Sequence, residues 1–330
     1  MIIDMHTHTL CPDVEQLLAG THPPINPYRR DMSPESRETD AANRDLTRPK
    51  LADLAVRRAD MAAMRVDAQV IAPAPAQQHY WADEDLQVDI SRAQNNHIAA
   101  LVAQDPAHFL ALGTLPMAYP ERAANEATRG VEDLGLRGFQ IDTRVNAMEL
   151  SDPALTPLWT RLERLGVPLF VHPLGFSHGE RLGPFFMINS VGQPIEEVLA
   201  GMHLISGGVL DRHPGLKVVI AHGGGYLPYY VGRLDHAWKV RPEVRRLTAE
   251  RPSAYLSRLW FDTCVFRADH LEALIALAGI DKVMLGSDYP FDMGDDDPLA
   301  ILDQCRSLDA AGREKIVTSN AISLFGKFSA

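Results

Sequence analysis

The sequence predicts an α/β protein, a (β/α)8 barrel of the TIM type with a long insertion after its first strand. Eight short apolar runs recur along the 330 residues, and the segments between them carry apolar residues at helical spacing. Metal-binding side chains stand at the ends of several runs, where the active site of such a barrel lies. Because no linker or repeat divides the chain, we expect a single domain that spans residues 1–330.

The eight runs are rich in Val, Ile, Leu and Phe, and we expect them to be parallel strands buried on both faces. They are MIIDMHTH (1–8), DAQVIAPAP (67–75), FLALGTLPM (109–117), LRGFQIDT (136–143), VPLFVHP (167–173), LKVVIAHGG (216–224), LWFDTCV (259–265) and KVMLGSDYP (282–290). Intervening stretches such as DLAVRRADMAAM (53–64) and PALTPLWTRLERL (153–165) have apolar stripes with a period of 3.6 residues, which predicts helices.

Two segments interrupt this alternation. Residues 11–50 follow the first strand and are rich in Pro, Asp, Arg and Thr, and residues 174–194 follow the fifth strand and mix Gly with aromatic residues. A long loop in a compact domain is usually a functional lid or partly disordered. Since both segments follow strand ends on the substrate-binding face, we interpret 11–50 as a lid or insertion within the single domain.

Composition and charge narrow the class of protein. The 43 acidic residues exceed the 32 basic ones, the net charge is −11, and no basic cluster stands out, which argues against nucleic acid or anionic membrane as a partner. Three cysteines (Cys11, Cys264 and Cys305) without paired spacing indicate no disulfide framework and favour a reducing compartment. The first residues do not resemble a signal peptide, and no apolar run approaches the roughly 20 residues that span a bilayer. We therefore expect a soluble, cytoplasmic protein.

Histidines and one aspartate stand at the ends of four predicted strands. His6 and His8 are two residues apart, so a strand presents both on one face. His172, His222 and Asp288 follow the fifth, sixth and eighth strands. Three imidazoles and one carboxylate suit zinc or manganese, and a metal-bound water can have its pKa lowered from about 15.7 to about 7. Because the glycines after His222 leave its ring free to reach substrate or water, we assign His222 as a general acid/base, and Asp288 as a ligand that also accepts a proton.

The chain resembles the amidohydrolase superfamily, and most of all its aminocarboxymuconate-semialdehyde decarboxylase branch. The motifs that carry the resemblance are DMHTH, LGTLPM, FVHP, HPGLKVVIAHGGG, VGRLDHAW, LGSDYPF and SNAISLFG. The resemblance implies a distorted barrel, a homodimer, one zinc held by His6, His8, His172 and Asp288, and a catalytic His222. The fourth strand ends in FQIDT without the lysine of two-metal relatives, which favours one metal; Asp142 is a rival ligand there, although a capping role fits it better.

The resemblance also implies substrate contacts. Arg57 matches an arginine that binds the substrate carboxylate from the same subunit, and Arg233 matches one that reaches in from the partner subunit. His178 lies in the loop over the predicted site. Asn189, with Phe186 nearby, stands where the family's semialdehyde decarboxylases carry a pocket aromatic, so we expect a differently shaped pocket.

The activity that these features imply is a decarboxylation without an organic cofactor. The hypothesis is that metal-activated water and His222 promote addition of a proton or hydroxide beside the carboxyl-bearing carbon of an unsaturated or aromatic acid, after which CO2 leaves. A hydrolase or hydratase of the same superfamily, acting on a lactone, C–C or amide bond, is the alternative. A catalytically inactive binding barrel is a third interpretation, which the complete ligand set opposes.

Overall fold

A computed structural model describes residues 1–329, in which eight parallel strands form a barrel and two further strands form a small hairpin. Each barrel strand coincides with one of the eight predicted runs, β1 extending one residue beyond its run, so the predicted fold class is confirmed. In chain order the strands are β1 (Ile3–Thr9), β2 (Ala68–Pro73), β3 (Phe109–Ala111), β4 (Phe139–Ile141), the hairpin strands β5 (Arg144–Val145) and β6 (Met148–Glu149), β7 (Pro168–Val171), β8 (Lys217–Ile220), β9 (Leu259–Asp262) and β10 (Val283–Met284).

Backbone contacts at two seams close the sheet. Strands pair in the orders β1-β2-β3 and β10-β9-β8-β7-β4. At the seam between β3 and β4, Gly113 N donates to the carbonyl oxygen of Gly138 at 2.9 Å. At the other seam, Asp288 N donates to the carbonyl oxygen of His6, also at 2.9 Å. The residues after β10 are therefore tied to the first strand, which brings Asp288 beside the predicted histidine pair.

Helices connect the strands, and short 3-10 and π turns complete the connections. The helices are α1 (Asp13–Leu17), α2 (Pro27–Asp31), α3 (Pro34–Ala52), α4 (Leu54–Ala63), α5 (Glu84–Ala103), α6 (Pro120–Glu132), α7 (Thr156–Leu165), α8 (Gln193–Ser206), α9 (Val209–Arg212), α10 (Val231–Val240), α11 (Pro252–Tyr255), α12 (Ala268–Ala278), α13 (Ala300–Gln304), α14 (Ala310–Glu314) and α15 (Asn320–Phe325). None of these helices, within the described residues, is long and apolar enough to cross a membrane.

Helix α7 shows how local sequence produces these connections. Its side chains Leu158, Trp159 and Leu162 are at most 1% exposed and form the apolar stripe that the sequence predicted. The helix ends at Gly166, whose φ of 67° lies in the left-handed region that glycine adopts without strain. This stop lets the chain turn directly into β7.

Apolar side chains fill the barrel below the predicted site. One cluster joins residues of six strands to the last helix: Ile3, Val70, Leu110, Phe170, Val219 and Met284, with Leu324 and Phe325 of α15. Only the barrel interior can bring six strands together in this way. The site is therefore built on a closed and rigid base.

The insertion after β1 is largely helical, although its composition suggested a loop. Ser33 caps the 19-residue helix α3, because its side chain accepts a hydrogen bond from Ser36 N. Ser36 and Leu51 are the residues of this helix that are buried within the described structure. With so few buried positions α3 has no apolar stripe, and hydrophobic periodicity therefore gave no sign of it.

Substitution of Gly138 tests the close approach of the residues before β4 to β7. A methyl group at this position would overlap the backbone carbonyl oxygen of Pro168 in β7. We expect Gly138→Ala to lower the free energy of unfolding by about 1–3 kcal/mol in urea denaturation. Gly232→Ala is the matched control, since nothing lies within 4 Å of its added methyl group on α10. An unchanged urea midpoint for Gly138→Ala would contradict this close approach to β7.

Candidate metal centre and active site

Three imidazoles surround one oxygen of the Asp288 carboxylate. Measured from Asp288 Oδ1, the Nε2 atoms lie at 3.1 Å for His8, 3.2 Å for His6 and 3.8 Å for His172. The ligand atoms of a tetrahedral site with bonds of about 2.0–2.2 Å lie roughly 3.3–3.6 Å apart. The distances from Asp288 Oδ1 to the three nitrogens are therefore close to those expected around one bound metal ion.

His222 approaches the same carboxylate from its other side. Its Nε2 lies 3.4 Å from Asp288 Oδ2. The ligand atoms of His6, His172, His222 and Asp288 all lie within 4.8 Å of one another, and His8 is outside that group. The structure thus brings together all five predicted residues, and the two carboxylate oxygens distinguish the three imidazoles at Oδ1 from His222 at Oδ2.

The burial of the cluster supports a bound cation. The side chains of His6 and His8 are 0% exposed, and Nε2 of both His6 and His172 is buried without a hydrogen-bond partner in the described residues. The Nδ1 atoms of these two rings already donate, to Asp262 Oδ2 at 2.8 Å and to the carbonyl oxygen of Pro173 at 2.9 Å. A buried polar atom without a partner is costly, and a metal ion would satisfy both nitrogens.

The charge states of the cluster suit a divalent ion. Burial lowers the pKa of His172 to about 3 and that of His8 to about 4, so both rings are in the neutral form that binds metals. Burial opposes the charge on His6, but Asp288 and Asp262 outweigh it and raise the pKa of His6 to about 9, so a metal would displace a proton from this ring. Burial alone would raise the pKa of Asp288, but the imidazoles around it hold that pKa well below its usual range.

Asp262, at the end of β9, fixes the backbone and one ring of the centre. Its carboxylate accepts from His6 Nδ1 and from the backbone N–H groups of His222 and Gly223, each of the two backbone bonds being 3.0 Å long. His222 has a φ of 49° and Asp288 a φ of 60°, conformations that persist only where surrounding contacts impose them. Asp262 supplies such contacts for His222.

The sequence analysis did not identify Asp262, and it did not identify a second residue beside the centre, Glu197. It lies on α8, is 0% exposed, and accepts a hydrogen bond from Nδ1 of His222. Burial raises the pKa of Glu197 to about 7. Burial opposes the charge on His222, but Glu197 and Asp288 outweigh it and hold the pKa of His222 well above its usual value. Asp262 stood at a predicted strand end and could have been noticed, whereas a helical glutamate carries no such signal.

A cavity of about 470 Å³ opens beside the metal cluster. His172 and Asp288 line its floor, and one face of α3 lines its wall with Asp40, Asn43, Arg44, Thr47, Arg48 and Leu51. Spacings of three and four residues place these side chains on a single helical face. Arg29 of α2 also lines the cavity. The insertion therefore brings three guanidinium groups into the cavity that holds the metal cluster.

The other predicted substrate contacts are only partly gathered here. Asn189 lines the cavity, and the ring of Phe186 packs edge-on against the cavity-lining Tyr28 at 6.3 Å between centroids. His178 is exposed and does not line the cavity within the described residues. Arg233 is exposed on α10, also outside the cavity of its own chain.

Arg57, predicted to bind the substrate carboxylate, is not among the described residues that line this cavity. Its side chain is 2% exposed, donates to Gln69 Oε1 at 3.0 Å and to the carbonyl oxygen of His8, and stacks over the ring of Tyr289 at 4.9 Å. These contacts place Arg57 behind the strand that carries His8, where it supports the backbone. All arginines look alike in sequence, and only packing shows which one is enclosed.

Asp142, the rival ligand at the end of the fourth strand, lies outside the metal cluster. It lines a neighbouring cavity of about 870 Å³ together with Tyr80 and Glu196, and its carboxylate accepts from Thr143 N at 2.7 Å. Burial raises the pKa of Asp142 to about 7. Its turn-capping contact agrees with the role that the sequence favoured.

Removal of the central carboxylate tests the metal centre directly. We expect wild-type protein reconstituted with manganese or zinc to hold one equivalent per chain, and Asp288→Asn to bind at least about 100-fold more weakly, since even residues behind metal ligands contribute about 10–100-fold. Metal content by plasma mass spectrometry after dialysis measures this. Asp292→Asn, which changes a carboxylate in the same cavity but outside the cluster, should retain the metal. Full metal occupancy in Asp288→Asn would contradict the assignment.

Comparison with known proteins agrees with this geometry. The family model described as Amidohydrolase matches residues 3–327. The 2-amino-3-carboxymuconate-6-semialdehyde decarboxylase of Dictyostelium discoideum is 36% identical over 262 residues, which cover 79% of this chain and 73% of that protein. The gamma-resorcylate decarboxylase of a Polaromonas species is 31% identical over 263 residues, which cover 74% of this chain and 78% of that protein.

A solved structure extends the agreement to the whole fold. The dihydroxybenzoic acid decarboxylase from a Polaromonas species, crystallised with bound manganese and the inhibitor 2-nitroresorcinol, superposes with a TM-score of 0.80 at 26% identity. The match covers 98% of this chain and 96% of that one. The resemblance inferred from the motifs is confirmed: this chain belongs to the amidohydrolase superfamily, in the branch that contains the aminocarboxymuconate-semialdehyde and gamma-resorcylate decarboxylases.

Proposed function

We propose that this protein releases CO2 from an unsaturated or aromatic carboxylic acid in the cavity beside the metal cluster. Membership of this branch makes it a metal-dependent decarboxylase. The observation that carries the proposal is that one cavity is lined both by the His172–Asp288 side of the metal cluster and by the arginines of the insertion. Such a cavity can hold an acid with its reacting end at the metal.

The residues that would hold the ion are His6, His8, His172 and Asp288, because their ligand atoms share the Oδ1 side of the carboxylate. Zinc and manganese both suit this donor set. When bound there, a divalent ion supplies a Lewis acid that stabilises negative charge on substrate oxygens. The buried Nδ1 contacts behind His6 and His172 keep their Nε2 atoms directed at the ion.

His222 is the group that we propose to move the proton. Glu197 accepts from Nδ1, and this contact directs Nε2 toward the Asp288 carboxylate at the centre. The Nε2 proton adds to the carbon that carries the carboxylate, and the bond to the carboxylate then breaks. CO2 leaves, its bonding electrons restore the conjugated system, and His222 regains a proton from water. The sum is one carboxylate and one proton converted into CO2 and the decarboxylated product.

The arginines of α2 and α3 replace Arg57 as the proposed carboxylate contacts. Arg48 forms an ion pair with Glu15 at 3.4 Å. Burial and the nearby Asp292 raise the pKa of Asp40, and Arg29 and Arg44 oppose that rise. The Arg48–Glu15 pair is exposed to solvent and is therefore weak enough to open for a substrate. A guanidinium binds a carboxylate through two parallel hydrogen bonds, which would orient the acid in an otherwise acidic protein.

The substrate class and the assembly complete the proposal. Two relatives of this chain are decarboxylases of a carboxymuconate semialdehyde and of resorcylate, and Leu174, Phe291 and Met293 provide apolar cavity wall for a comparable carbon skeleton. We also propose that residues 11–50 act as a lid, and that the protein is a homodimer in which Arg233 contacts substrate across the interface. Two residues near Arg233 in the chain, Tyr226 and Tyr230, are 44% and 66% exposed and would be covered there.

Trapping of CO2 tests the reaction. Metal-reconstituted protein should release one CO2 per acid consumed from at least one member of a panel of hydroxybenzoates, aminomuconate-type acids and pyrimidine carboxylates. His222→Asn should lower kcat by about 10²–10⁴-fold and retain its metal. The exposed residue His236, changed to Asn, is the matched control and should leave kcat unchanged.

Two results would oppose this mechanism. Consumption of panel members without CO2 would favour the hydrolase or hydratase alternative. Loss of the metal in His222→Asn would make His222 a ligand in place of an acid/base.

Replacement of the cavity arginines tests the carboxylate contacts. We expect Arg44→Met and Arg48→Met each to raise KM about tenfold with a smaller effect on kcat, because each removes a charged hydrogen-bond donor from the bound acid. Steady-state kinetics on the best panel acid measures the split. Arg37→Met is the control on the same helix, since Arg37 lines the neighbouring cavity instead. Equal KM values for all three variants would contradict the assignment.

A further inference from the structure

Tyr28 of the insertion occupies a fixed place in the wall of the metal-containing cavity. It lines that cavity together with Asn189 and Asp288. Its backbone lies against Gly175, where a methyl group would come within 2.7 Å of Tyr28 N. Gly175 also has a φ of 79°. This position therefore favours glycine, both because a side chain would lack space and because the backbone is left-handed. Tyr28 is therefore held against the loop that follows β7.

The rest of helix α2 is seated against the same loop. A methyl group at Gly179 would meet the carboxylate of Asp31, and one at Gly183 would meet its carbonyl oxygen. Asn26 caps the other end of the helix, since its side chain accepts a hydrogen bond from Arg29 N at 2.8 Å. The approaches of Tyr28 and Asp31 to the loop hold α2 against it, so the side chain of Tyr28 has a defined position over the cavity.

Tyr28 and Asn189 line the same cavity, and the ring of Tyr28 packs edge-on against Phe186. Burial raises the pKa of Tyr28, so the phenol is neutral and keeps its proton. A phenol and a primary amide together offer several hydrogen-bond donors and acceptors. Free hydrogen-bonding capacity is thus directed into the cavity from a pair of uncharged groups.

We propose that Tyr28 and Asn189 form a subsite that recognises an uncharged oxygen substituent of the substrate, such as a hydroxyl, methoxyl or carbonyl group. The proposal rests on the proposed function and narrows its substrate class. The arginines of α2 and α3 offset the charge of a carboxylate, whereas a neutral phenol and amide can bond an oxygen without needing a charge. A polar pair that must be satisfied by substrate also discriminates against an analogue that lacks the partner group.

The subsite depends on both segments that interrupt the barrel. Tyr28 belongs to the insertion after β1, and Asn189 belongs to the turn Ile188–Gly192 before α8. Neither segment alone brings the two groups together. We therefore regard Tyr28 and Asn189 as specificity-determining residues.

Ligand binding separates this role from a general structural one. Manganese-reconstituted wild type, Tyr28→Phe, Asn189→Ala and the double variant are titrated by calorimetry with benzoate, 3-hydroxybenzoate, 4-hydroxybenzoate and 2,6-dihydroxybenzoate. We expect Tyr28→Phe to weaken binding of at least one hydroxylated acid by about 2- to 12-fold, the range of one neutral hydrogen bond, and to leave benzoate within twofold. The two single changes should be non-additive in the double variant for that acid. Tyr119→Phe, which removes a tyrosine hydroxyl that donates to the carbonyl oxygen of Ala82 outside this cavity, is the matched control.

Binding and turnover distinguish a failure of the subsite from a failure of the proposed reaction. Equal weakening for benzoate and for the hydroxylated acids would overturn the subsite, as would unchanged affinity for every acid. Selective weakening would support it even where no acid releases CO2, in which case the proposed reaction alone would fail. Absence of binding of every acid to the wild type would count against both proposals.

Discussion

The Asp288 carboxylate, buried among imidazoles from the ends of three strands, is the interaction on which the rest of the structure depends. A carboxylate this enclosed is stable only when opposite charge or donors surround it. The barrel provides them by tying the segment after β10 to β1, where Asp288 N bonds to the carbonyl oxygen of His6. Ser287, the preceding residue, donates through both N and Oγ to the buried Asp4. The same backbone contact therefore closes the sheet and places Asp288 beside the histidines of the metal centre.

The barrel strands and the two segments that interrupt the barrel contribute different parts of the site. Strand ends hold the cluster that fits a metal, and the apolar barrel interior below them keeps those ends from moving. Both interrupting segments supply the cavity wall. Helix α3 turns a face of charged and polar side chains toward the cavity, so the insertion supplies cavity wall while the strand ends supply the metal cluster. This division is how one barrel supports different substrates in related proteins.

Buried carboxylates behind the centre orient the histidines that form it. Asp262 holds the ring of His6 and the backbone of His222, and Glu197 holds the ring of His222. Both carboxylates are fully buried. Each ring therefore has one nitrogen committed to a carboxylate and the other left for the centre, which fixes its direction. The left-handed backbone of His222 is tolerated because these partners hold it on two sides.

The sequence by itself determined the barrel, its eight strands and the five side chains at the centre, because strand periodicity and position at a strand end are local properties. It determined neither the partners of those side chains nor the residues of the cavity. Glu197 and Asp262 join the site through contacts between distant elements, and Arg57 proved to be enclosed by packing that no pattern records. Helix α3 was hidden because its ordered face is polar and turned to a cavity, and periodicity detects only faces turned to an apolar core. Tertiary structure alone decided these points, since burial and long-range proximity arise only once the chain has closed on itself.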